Sequence, residues 1–159
     1  MPCEKIEFTN AVIKGALAGF IATIPMTLAM KVLHAQLPRE ERYPLPPRLI
    51  VESTAEKLEV QDDLSEENEY ALTVTSHFSY GSATGAIYGA GLALQGVEPS
   101  ITNGVAYGLG VWTISYLGLL PGLGILTPAT EHPARRNGLM IAAHVVWGAA
   151  LGATARRLD

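Results

Sequence analysis

The chain has 159 residues, 48% of them hydrophobic and 16% charged, with a net charge of −4. That length is one domain's worth, and an acidic balance with scattered basic residues gives no footprint for nucleic acid. Cys3 is the only cysteine, which excludes an intrachain disulfide and any CxxC metal or redox motif.

Residues 15–30 form a first apolar run bracketed by Lys14 and Lys31. Lysine stems can carry their ammonium groups out to lipid headgroups, so with its apolar flanks the run predicts a helix over about 8–36. Glu4 and Glu7 precede it and no small-x-small site follows, so it is expected to be retained and not cleaved as a signal peptide. Pro25 predicts a kink, with Thr23 and Thr27 placed to satisfy the freed carbonyl. Pro38, Pro44, Pro46 and Pro47 then end the helix and open an acidic interfacial loop, 38–69. Ten of the fifteen acids lie between positions 40 and 69. Within the loop, residues 48–60 predict a short amphipathic helix at the interface, with Leu49, Ile50, Val51 and Leu58 as its apolar contacts. Asp63 with Glu66, or Ser65 with the acids after it, is expected to cap the next helix.

The runs 71–97 and 101–130 contain no Asp, Glu, Lys or Arg, and predict helices over about 70–97 and 100–127. Residues 138–155, between Arg136 and Arg156, predict a last helix over about 137–156. A soluble helix carries a polar face at a 3.6-residue period, which the two uncharged runs lack. A hydrocarbon core of about 30 Å takes roughly 20 apolar residues of helix. The expectation is an all-α integral membrane bundle of about four transmembrane helices, with 1–159 as a single membrane domain and the lipid bilayer as its first partner.

All sixteen glycines lie in or beside the apolar runs. Gly15 and Gly19, then Gly81, Gly85 and Gly89, then Gly104 and Gly108, then Gly148 and Gly152 place small-xxx-small spacing in every predicted span, the pattern that lets helix backbones approach in lipid. Residues 77–86 and 144–153 align without gaps as H-x-x-aromatic-G-x-x-x-G-A. This weak repeat suggests two tandem helical hairpins, 1–97 and 98–159, related as a parallel repeat.

Tyr43-Pro44-Leu45-Pro46-Pro47-Arg48, His77 in the following apolar helix, and His144-Val145-Val146-Trp147 near the end together resemble the YagU-like family of small bacterial inner-membrane proteins. The resemblance covers scattered islands, and the chain departs from the family in a shorter interhelical region and a different acidic loop. It implies a multi-span protein of the bacterial inner (plasma) membrane and brings no biochemical activity with it.

His77 and His144 sit at matching depth in the second and fourth predicted spans. An intramembrane ionisable residue is a functional candidate. Two facing imidazoles, with Tyr80 and Trp147 beside them, suggest a cofactor site in which both histidines ligate a non-covalent haem b; the competing expectation is that each only bonds a neighbouring helix. His34, Glu131 and His132, near the ends of the first and third helices, form a second candidate cluster, for a divalent metal.

No Gly-x-Ser-x-Gly elbow, phosphate-binding glycine loop or His-Glu-x-x-His is present, so no catalytic residue is assigned. Seven Lys and Arg fall on the side of the two loops and four on the side of the termini, a small bias toward cytoplasmic loops. The expected function is a non-enzymatic structural or accessory component of the membrane, self-associating through its glycine faces or joining a larger complex. The alternatives are a bis-histidine haem b electron-transfer protein and a minor transporter or channel.

Overall fold

The computed structural model describes residues 2–159, with side chains from Glu7 onward, so Cys3 lies outside the described side chains. Five helices carry the fold: α1, Pro2–His34; α2, Pro46–Lys57; α3, Glu66–Gln95; α4, Ile101–Gly122; and α5, Ala134–Leu158. No strand occurs among the described residues.

Local chemistry sets the ends. Ser65 caps α3, its Oγ accepting from the Asn68 amide at 3.3 Å, with Glu66, Glu67 and Glu69 against the positive end of the helix. Gly96, at φ +62°, closes α3 in the left-handed conformation. Four residues on, Ser100 and Asn103 form a reciprocal capping box that starts α4. α4 stops at Gly122, short of the expected 127, because Pro121 and the positive φ of Gly124 turn the chain away. Pro121 has no N–H for the Leu117 carbonyl, and the helix widens into a π turn over Ser115–Leu119 just before it.

Two local expectations are corrected. Thr23 and Thr27 donate to the carbonyls of Gly19 (2.9 Å) and Thr23 (2.7 Å), one turn back in each case, and not to the Ile21 carbonyl that Pro25 leaves without a donor. α2 begins at Pro46 and ends before Leu58, which is 67% exposed. Its Ile50 turns into the bundle instead of lying on an interface.

The helices pack antiparallel, α1 on α3 and α4 on α5, with α1 and α5 also in contact along their length. The nine spaced glycines make the two hairpin contacts. A Cβ built on Gly85 would lie 2.7 Å from Gly19 Cα, one on Gly15 3.0 Å from Gly89 Cα, and one on Gly104 3.0 Å from Gly152 Cα. Gly81 and Gly148, the matching positions of the repeat, face the backbones of Gly19 and Gly104 respectively. The spaced glycine faces are therefore covered by helix contacts within one chain. The C-terminal end of α5 meets α1 at Lys14, whose Nζ is 3.3 Å from Asp159 Oδ1.

The distribution of side chains is inverted relative to a soluble bundle. Small and polar residues, including Ala18, Ala22, Thr23, Ala143 and His144, are buried, whereas Leu28, Val32, Ile87 and Ile114 are each at least 60% exposed. α1 from Glu7 to His34, α4 and α5 are long and apolar enough to cross a membrane. α3 has the length, but Thr73, Thr75, Ser76, Ser79, Ser82 and Thr84 dilute its apolar character, leaving three such helices where four were expected.

Candidate functional site: a histidine-lined cavity

α3 and α4 are held apart by long side chains. Tyr107 donates to the Thr84 carbonyl (2.7 Å), Tyr80 Oη and Ser115 Oγ are 2.8 Å apart, and Tyr88 donates to Asn103 Oδ1. The space left between the four helices is a cavity of about 220 Å³. α1 supplies Thr23, Met26 and Met30 to its wall; α3 supplies His77, Tyr80 and Thr84; α4 supplies Val111, Ser115 and Tyr116; α5 supplies Met140, His144 and Trp147. Pro47 and Ile50 of α2 close one end. The π turn is what brings both Ser115 and Tyr116 to this wall.

All four residues proposed from sequence for a cofactor, His77, His144, Tyr80 and Trp147, line this one cavity. Their hydrogen bonds differ. His144 donates from Nδ1 to the Met140 carbonyl at 2.8 Å, which leaves Nε2 as the nitrogen with a lone pair. His77 Nε2 is buried with no hydrogen-bond partner. Trp147 Nε1 reaches the Gly19 carbonyl at 3.4 Å, tying α5 to α1 at the glycine contact. At about 220 Å³ the cavity is smaller than the roughly 300 Å³ at which pockets for drug-sized ligands begin, so a haem would enter only with the helices moved apart. The residues fit a smaller group.

The bond between Tyr80 and Ser115 links α3 to α4 in the wall of the cavity. Tyr80→Phe and Ser115→Ala are each expected to lower stability by about 1 kcal/mol, and the double variant by little more than either alone, because both remove the same bond. Thermal unfolding of the four proteins in one detergent reads this out, and full additivity would show that the two hydroxyls act separately.

A second arrangement lies beside α2. Arg136, at the start of α5 and only 6% exposed, donates to the carbonyls of Glu41 (2.8 Å), Tyr43 (2.9 Å) and Pro44 (2.8 Å), and its guanidinium lies 3.5 Å over the Tyr43 ring. His34 Nε2 donates to the Tyr43 carbonyl at 3.1 Å, while Tyr43 Oη is 2.8 Å from His132 Nδ1 and Thr127 Oγ1 is 3.0 Å from His132 Nε2. These bonds occupy both ring nitrogens of His132. His34, Glu131 and His132 do not form the metal cluster expected of them, and no group of three His, Cys, Asp or Glu suited to a metal occurs among the described residues. The two histidines position Tyr43 instead. Nothing in the local sequence marks Arg136 and Tyr43 as partners.

On the exposed side of α2, Arg48 contacts Glu52 (2.7 Å) and Glu69 (2.8 Å), whose hydrogen bond and charge raise its pKa further above the ordinary arginine value. A more open groove of about 760 Å³ lies at the opposite end, near Lys14 and Asp159. The chain matches no family model, no curated protein and no solved structure.

Proposed function

We propose that this chain is a four-span protein of the bacterial inner membrane, a non-enzymatic accessory component that holds a small ligand between its helices. The observation that carries the binding role is the cavity that buried His144 and half-buried His77, from different hairpins, line together with aromatic and thioether side chains. A concave, mostly apolar space with a few convergent polar groups is the usual form of a ligand site. Membership of the YagU-like family, proposed on residues 43–48, His77 and 144–147, agrees with that location.

The outward-facing leucines, isoleucines and valines support burial in lipid. For α3, four of the six hydroxyls that make it less apolar are bonded: Thr73 to the Glu69 carbonyl, Ser76 to Thr73, Ser82 to Ala16 and Thr84 to Tyr80. Satisfied hydroxyls cost far less in hydrocarbon than free ones. Thirty residues of helix reach about 45 Å, enough to span.

Cysteine labelling tests the fourth span directly. In a Cys3→Ser background, Gln61→Cys and Glu98→Cys, at opposite ends of α3, are expected to react with an impermeant maleimide from opposite faces of the membrane. Labelling of both from one face would remove α3 from the bilayer and with it the four-span reading.

A further inference from the structure

We infer that the cavity is a site for a soft monovalent metal ion, copper(I) or its redox-inert analogue silver(I), held by three or four donors drawn from Met26, Met30, Met140, His77 and His144. The inference rests on the binding role proposed above and names its ligand. The chain has four methionines, and all three beyond Met1 line this cavity although they are scattered along the sequence. Thioether sulfur is a soft donor that selects monovalent copper, and imidazole serves the same ion. The lining holds no Asp or Glu, so a divalent ion would bring two charges into a weakly polar space with no carboxylate to balance them.

Helix register brings Met26, His77 and Met140 to one level. From the contact of Gly19 with Gly85, about two turns along each antiparallel helix bring Met26 beside His77. From the bond of Trp147 to Gly19, the same step along α1 and α5 brings Met26 beside Met140. Met30 and His144 lie one turn to either side of that level and line the same cavity.

The imidazoles are prepared for such a role. A ligating histidine almost always gives its other ring N–H to a carbonyl or carboxylate, which fixes tautomer and orientation. His144 does this through Nδ1 to Met140 O at 2.8 Å. His77 presents a buried Nε2 that no group of the protein satisfies. Methionine alone is common core filler. Methionines that share an open cavity with a buried, unpartnered imidazole nitrogen on His77 and a second imidazole on His144 leave the polar accounting for a ligand to complete.

The test is anaerobic titration of the full-length protein, in detergent and with Cys3→Ser, against the copper(I) complex of bicinchoninate, with silver(I) in a parallel melting experiment. One equivalent of copper is expected to transfer, and silver is expected to raise the melting temperature. The triple variant Met26→Leu, Met30→Leu, Met140→Leu keeps core volume and apolarity and is expected to lose at least tenfold in affinity, as is His77→Ala. No transfer to the parent protein, or equal affinity in both variants, overturns the assignment. Thr84→Cys, on the same wall, separates this from failure of the cavity reading itself. Reaction of that cysteine with N-ethylmaleimide in a protein that takes no copper would keep a ligand cavity and discard the metal, whereas an inert cysteine and no copper uptake would discard both.

Discussion

Gly85→Leu is expected to destabilise the protein by about 3 kcal/mol or more, and Gly152→Leu to do the same. At Gly85 the first added carbon would meet Gly19 Cα at 2.7 Å and Gly19 N at 2.9 Å; at Gly152 it would meet the Ser100 carbonyl carbon at 2.7 Å. These are backbone atoms of a neighbouring helix, which cannot change rotamer to make room. The two helices must separate and lose the contacts that close approach provides. Gly110→Ala is the matched control: a Cβ there meets nothing within 4 Å, and alanine gains up to about 1 kcal/mol of helix propensity over glycine. Thermal unfolding in mild detergent should therefore move down for the first two variants and stay level or move up for the third. A parental melting temperature for Gly85→Leu would refute glycine contact as the basis of the hairpins.

The parts of the fold that follow from local pattern were open to reading from sequence. Uncharged runs became helices, Ser65 became a cap, and the matched spacing of Gly81 with Gly85 and Gly148 with Gly152 became two equivalent helix contacts. Which glycines meet is a tertiary fact, and spacing alone did not distinguish a contact within the chain from one between chains. α3 was legible as a long uncharged helix, but the hydroxyls that lower its apolar character find carbonyl partners that only the folded chain shows, such as Ser82 on Ala16. At the site, His77 and His144 stood out because an ionisable group in an apolar run is costly. Met26, Met30 and Met140 did not, since methionine in an apolar helix costs nothing and their shared cavity depends on the register of three helices. Arg136 read only as the charge ending an apolar run, because its carbonyl partners lie 92 to 95 positions away.

Arg136→Met is the second variant expected to have a large effect, again about 3 kcal/mol or more. It removes three charge-assisted hydrogen bonds and the stacking on Tyr43, and it leaves the carbonyls of Glu41 and Pro44 without those donors. Arg136→Lys should recover only part of the loss, since one ammonium group cannot reproduce a planar fork that reaches three carbonyls and lies flat on a ring. The consequence extends beyond stability. The gripped segment leads directly into α2, whose Pro47 and Ile50 close one end of the cavity. Loosening residues 41–44 should free that cover, so the cysteine of Thr84→Cys should react faster with N-ethylmaleimide when Arg136→Met is added, and residues 38–48 should become open to protease. Faster labelling at a temperature where both proteins remain folded would make Arg136 the latch of the cavity. Unchanged labelling alongside a lowered melting temperature would confine Arg136 to holding the loop.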